Sequence, residues 1–178
     1  MAMKILIACC LLVSACASRS DRVVTLAEQG LGWDATYHPS MGGDIRVLKF
    51  LEQRAAWLGV SVEYRPEGHE DLRGATGLSW SNGLQKHVLV NGDLPINGRL
   101  EVLAHEIGHT YQPPLANRME HEVFAELVSV EVCKRLGLDT ARVAARYLQA
   151  NKSALALART HRKEIAFVAD LLTRGYTK

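Results

Sequence analysis

In the run Leu103-Ala104-His105-Glu106-Ile107-Gly108-His109-Thr110, two histidines stand four residues apart and a glutamate follows the first. On a helix, residues four apart lie on one face, one turn above the other. Two imidazoles can then close on a single metal ion while Glu106, the next residue round, points beside it. This is the H-E-x-x-H arrangement of a water-activating zinc site: two nitrogen ligands and a carboxylate within reach of the bound water. The competing reading is an amphipathic helix whose histidines are ordinary surface or core residues.

A catalytic zinc takes three protein ligands and a water. The connection Gln112 to Ala116 is short, so the element that follows must pack beside the motif helix and is where a third ligand is sought. It opens Asn117-Arg118-Met119-Glu120-His121-Glu122-Val123-Phe124-Ala125-Glu126-Leu127. Glu120 stands three places after Asn117, where a glutamate bonds back to a helix cap, and capping is the simpler role for it. His121 would complete a three-histidine type of site. Glu122 and Glu126 share a face, continued by Ser129 and Cys133. Glu126 is set in an otherwise apolar run, where a carboxylate is costly without a metal, a cation or good donors. A ligating histidine donates its other N–H to a carboxylate, so two facing glutamates have two jobs to fill. We assign Glu122 to the metal and Glu126 to the histidine behind it, with Glu120 and His121 as alternative third ligands.

These residues need a frame. Asp44 can cap a helix from about Ile45 to Leu58 that turns Val47, Leu48, Leu51, Ala55 and Leu58 inward and ends at Gly59. Val60 to Tyr64 alternates with a period of two, as a strand does. Pro66 to Gly74 is a charged loop. Thr76 to Ser81 and His87 to Val90 flank Asn82-Gly83, which suits a tight hairpin turn. The motif helix is expected from Asn97, a good N-cap, to about Tyr111, stopped by Pro113-Pro114. A helix from Arg118 to Leu136 should follow, capped by Asn117 and ended by Gly137, then helices over Thr140 to Ala150 and Ser153 to Arg174. The fold class is α+β: a small antiparallel sheet followed by a mostly helical body, with the site helix between them.

Arg99 through His109 resembles the motif helix of the ImmA/IrrE-type zincin-like metallopeptidases, with Val88-Leu89-Val90-Asn91 in the place of the strand that precedes it. The segment from Glu122 to Leu138 is similar to the second metal helix of the related ArdC-type peptidase domains, as are Ala144 to Leu148 and His161 to Leu172. Glu122-x-x-x-Glu126 further resembles the glutamate-ligand helix of gluzincins. The resemblance covers about Asp44 to Leu172 and implies a zincin-like peptidase fold. The gap from His109 to Glu122 is shorter than those families usually show.

The N-terminus looks like a targeting segment. Lys4 precedes an apolar run, Ile5 to Val13, too short to span a bilayer. Val13-Ser14-Ala15-Cys16 then resembles the lipobox of bacterial lipoproteins, in which the cysteine is lipidated. Cleavage after Ala15-Cys16-Ala17 is the rival reading. The expected organisation is a signal peptide over 1–15, a lipid-anchored tether over 16–40 and a peptidase domain over 41–178. Cys9 and Cys10 would leave with the signal, and Cys133 alone would remain in the domain, so no disulfide forms within it. In a Gram-negative host Ala17 resembles an outer-membrane sorting residue.

With 21 basic and 19 acidic residues among 178, the net charge of +2 gives no support to a nucleic-acid partner. The expected function is therefore a zinc peptidase of the cell envelope, with Zn²⁺ on His105, His109 and Glu122 and Glu106 as general base. Its partners would be a peptide or protein substrate and, through Cys16, the membrane. Tyr111, Tyr147 and His161 are candidates for oxyanion help. The alternative is an envelope lipoprotein that binds zinc or keeps the fold without catalysis, acting as a binding or assembly module.

Overall fold

Asp44 accepts the amide of Arg46 and caps helix α1 (Ile45–Trp57), whose Val47, Leu48, Leu51 and Ala55 are buried. Strand β1 (Val60–Arg65) follows, its Val60 buried and Val62 and Tyr64 packed against the same core. A 3-10 turn (Glu70–Leu72) buries Leu72. Strands β2 (Gly77–Asn82) and β3 (Gln85–Asn91) form a hairpin in which Asn82 pairs with Gln85. Helices α2 (Ile96–Thr110), α3 (Arg118–Leu136), α4 (Ala154–Thr160) and α5 (Arg162–Thr173) complete the order. The computed structural model describes residues 43–82, 84–138 and 154–177. The expected signal peptide and tether with Cys16, the helix expected over Thr140 to Ala150, and Tyr147 lie outside the described residues.

The class is α+β, as expected, but the sheet is mixed rather than wholly antiparallel. Its order is β1-β3-β2, with β3 parallel to β1 (Val62 beside Val88) and antiparallel to β2 (Ser79 beside Val88). The loop over 66–76 explains this, because it carries the chain from the end of β1 past the end of β3 to the far edge. Both sides of that crossing are pinned: the Asn91 amide donates to the Thr76 carbonyl at 2.8 Å and the Gly92 amide to the Arg65 carbonyl at 2.7 Å. The central place falls to β3, whose Val88, Leu89 and Val90 are all buried. A strand apolar on both faces suits that position. The edges of this sheet are therefore β1 and β2, so His87 to Val90 offers no edge to an extended peptide.

Two helix boundaries also differ. α2 starts at Ile96 after Pro95, whose carbonyl accepts the Arg99 amide, and Asn97 lies inside the helix, buried, not at the cap. Proline's fixed φ suits a helix start, which frees Asn97 to pack inward. The expected helix from Ser153 to Arg174 is two helices, parted at His161.

The core lies between the sheet and the helices, joining Leu48 and Leu51 of α1, Val88 and Val90 of β3, Leu100, Leu103 and Ile107 of α2, Phe124 and Val128 of α3 and Leu172 of α5. Arg54 of α1 donates to the Leu171 carbonyl of α5 and closes the ring of helices. Among the described residues, no helix is long and apolar enough to cross a membrane.

Candidate metal centre

Helix α2 is enclosed from Leu100 to Gly108, so His105 and Glu106 are buried despite their polarity. Such groups need partners. The antiparallel neighbour α3 supplies those of His105 because Gly108 lets the two backbones close: a Cβ there would stand 3.0 Å from Ala125 Cα and 3.3 Å from Val128 Cβ. This approach brings Glu122 and Glu126 over the histidines.

The result is a triangle. His105 Nε2 lies 3.1 Å from His109 Nε2, and each lies 3.5 Å from Glu122 Oε2. Ligand atoms around a tetrahedral ion with bonds near ~2.0–2.1 Å are separated by roughly 3.3 Å. His105, His109 and Glu122 therefore form a group that could hold a metal ion.

The other imidazole nitrogens face acceptors. His105 Nδ1 lies 3.2 Å from Glu126 Oε2, and His109 Nδ1 lies 3.3 Å from Gln112 Oε1. Acceptors at Nδ1 hold the proton there and leave each Nε2 lone pair for a ligand role. Gln112 was missed in the sequence reading. Its signal was the spacing of three from His109, obscured because it lies beyond the helix end.

The electrostatics are strongly coupled. Burial works against a charge on His105, but the Glu122 and Glu126 carboxylates and then the Glu106 charge outweigh it, raising the imidazole to about 10. Burial likewise opposes the Glu122 charge, yet hydrogen bonds to His105 and His109 hold its carboxyl well below the usual range.

Glu106 is held from the sheet side. A Cβ on Gly77, at the start of β2, would meet Val102 Cγ1 and stand 2.9 Å from Glu106 Cγ and Oε1. Gly77 is another residue the sequence reading did not find, since only the packing of β2 on α2 reveals it.

The remaining candidates fall elsewhere. Glu120 serves the cap: its Oε2 accepts the Ala116 amide and its Oε1 the Asn117 Nδ2–H, while its own amide donates to Asn117 Oδ1. His121 is not in the metal-competent group. The Tyr111 hydroxyl donates to the Leu58 carbonyl at 3.1 Å, and Lys86 Nζ sits 3.2 Å above its ring. His161 packs edge-on to Phe124, whose side chain leaves α3 roughly 200° round from Glu122. Neither Tyr111 nor His161 is brought to the triangle. Cys133 is buried within α3. No protein-family model, curated protein or solved structure matches this chain.

Proposed function

We propose that this chain is a zinc-dependent peptidase in which His105, His109 and Glu122 hold the ion and Glu106 is the general base. The observation that carries the reading is the triangle of His105 Nε2, His109 Nε2 and Glu122 Oε2, with sides of 3.1, 3.5 and 3.5 Å. Two imidazoles and one carboxylate are a donor set that suits zinc. When bound, the ion lowers the pKa of a coordinated water toward ~7 and polarises a scissile carbonyl. Glu106 takes a proton from the water and passes it to the leaving amine nitrogen. Glu126 and Gln112 keep the imidazoles oriented. β2 is the edge strand next to Glu106, and an extended peptide can add to its outer side by backbone hydrogen bonds. The likeness to ImmA/IrrE-type and ArdC-type zincins rests on the same motif residues.

Two measurements test this. The purified domain should hold close to one equivalent of zinc, and His105→Ala should abolish it. Glu106→Gln should retain the zinc and lose peptide hydrolysis of an envelope-protein extract. Wild type and Glu106→Gln giving identical cleavage profiles, both loaded with zinc, would instead favour a binding module. For the anchor at Cys16, we expect Cys16→Ser to abolish incorporation of a fatty-acid label and release the protein from membranes. Continued labelling would remove the lipoprotein reading.

A further inference from the structure

Strand β2 is an open edge among the described residues, and its register sorts its residues into two rows. The Asn91 amide donates to the Thr76 carbonyl at 2.8 Å, which fixes where the bonded pairs fall. Bonded and non-bonded pairs alternate along an antiparallel ladder. Leu78 and Trp80, opposite Leu89 and His87, therefore commit their backbone groups to β3. Gly77 and Ser79 fall at the pairs between and turn their N–H and C=O to the open edge. Side chains alternate as well. The Gly77 side faces α2, since a Cβ there would meet Val102 and Glu106. Leu78 and Trp80 thus lie on the other face of the sheet. There the Trp80 ring stacks on the His87 ring, with centroids 5.1 Å apart and planes 10° apart, yet Trp80 stays 46 % exposed. The acid in the same row, Glu63 of β1, lies beyond β3 and pairs with Arg65 at 2.6 Å.

We infer that Trp80 is a specificity-determining residue: a peptide added to β2 through Gly77 and Ser79 lays an aromatic or large aliphatic side chain on the exposed Trp80 ring. The inference rests on the peptidase reading and deepens it, because it names the substrate as an extended peptide with such a side chain at a set distance from the cut. Alternate residues of the added strand face α2 and the Trp80 side. The peptide residue beside Gly77 is the one next to Glu106. The residue beside Trp80 is three further along, about 10 Å at ~3.3 Å per residue, so the preference falls roughly three residues from the cleaved bond. His87 behind the indole holds its plane, and little side-chain freedom is lost when a second apolar group covers it.

The probe is a set of end-blocked octapeptides in which Phe, Leu, Ala or Asp is placed at each position in turn. Cleavage by zinc-loaded wild type, read by mass spectrometry, should favour Phe or Leu over Asp by about tenfold at one place, some three residues from the cut. Trp80→Ala should bring that ratio close to unity. Trp80→Lys should turn it toward Asp, a reversal that misfolding cannot imitate. Trp57→Ala, which removes an exposed tryptophan of α1, should keep the wild-type ratio. Calorimetry of the same peptides with zinc-loaded Glu106→Gln should give the same order of binding, and N-methylation of the peptide backbone should weaken it at alternate positions. Cleavage whose preference is the same in wild type, Trp80→Ala and Trp80→Lys overturns the inference and leaves the peptidase reading standing. Peptides that bind in the stated order but are never cut sink the peptidase reading and leave the Trp80 contact standing. Neither binding nor cleavage sinks both.

Discussion

Gly108 of α2 and Ala125 of α3 meet backbone to backbone: a Cβ on Gly108 would stand 3.0 Å from Ala125 Cα and 3.3 Å from Ala125 O. The metal triangle depends on this contact, because Glu122 and Glu126 flank Ala125 and reach the histidines only when the helices are this close. We expect Gly108→Ala to lower stability by about 1–2 kcal/mol, overpacking outweighing the better helix propensity of alanine. Zinc affinity should fall by about tenfold, as the ligand triangle opens. Gly98→Ala on the same helix is the comparison, since its Cβ would meet Leu94 Cβ at an ordinary 3.4 Å. It should leave zinc affinity unchanged. Chelator competition and thermal unfolding read both, and a Gly108→Ala protein with undiminished zinc affinity would show that the close approach is not what sets the site.

Glu126 and Gln112 hold the two imidazoles from behind, at 3.2 Å and 3.3 Å. The Glu126 contact is charged and the Gln112 contact neutral, so the two should differ in weight. Glu126→Ala is expected to weaken zinc binding by about 10–100-fold, and Gln112→Ala by less. Competition titration against a chromophoric chelator ranks them. A larger loss in Gln112→Ala reverses the assignment.

Much of this was legible in the chain because it is local. Asp44 and Asn117 announce the starts of α1 and α3, as Gly59 and Gly137 mark the turns after them, since capping chemistry spans only a few residues. The spacing of four likewise puts His105 over His109 and Glu122 beside Glu126. What could not be read depends on partners distant along the chain. Strand order is one case, as the loop over 66–76 could close onto either side of β3. Asn97 is another: by type it suits a cap, and only the inward face of α2 shows why it is buried. Gly77 and Gly108 look like ordinary glycines until the surfaces they admit are known.

The coupling of His105 and Glu122 gives the metal-free protein a specific pH profile. His105 is raised from 6.5 to about 10, so its contribution to stability is complete below 6.5 and is lost as pH climbs through 10. Glu122 is lowered from 4.5, so its contribution is present above 4.5 and is lost as pH falls toward its depressed value. Glu101, raised from 4.5 to about 8, acts in the alkaline direction too, because ionising it where it is buried costs stability as pH rises across that span. Metal-free protein should therefore be most stable near pH 4.5, weaken through Glu101 above it, and weaken further as His105 joins from pH 6.5 toward pH 10. If His105 ligates zinc as proposed, the ion displaces its proton, so zinc affinity should rise as pH climbs toward 10. Urea unfolding with chelator and with zinc, at a series of pH values, measures both trends. Metal-free stability that stays level or rises from pH 6.5 to 10 contradicts the coupling.

Gly77 offers a way to separate chemistry from metal binding. Its missing Cβ leaves the space that Glu106 Cγ and Oε1 occupy, each 2.9 Å from where that carbon would be, and Val102 Cγ1 crowds the same point. Of the candidate ligands, His105 and His109 lie on the face of α2 that meets Glu122 of α3, whereas Glu106 meets β2. Gly77→Ala should accordingly shift Glu106 and leave the triangle intact. General-base catalysis contributes about 10²–10⁴-fold and depends on hydrogen-bond reach, so a displaced Glu106 should cost on the order of 10²-fold in kcat/KM. Zinc content should remain near that of wild type, with a loss of stability at least as large as that of Gly108→Ala, since Val102 is buried and crowds the added carbon more closely. Gly77→Ala combined with Glu106→Gln should be no slower than Glu106→Gln alone, because both changes act on the same group. A Gly77→Ala protein that loses zinc and activity in parallel, or a double variant that is markedly slower than Glu106→Gln, would place the effect of Gly77 on the fold of α2 and not on the carboxylate it touches.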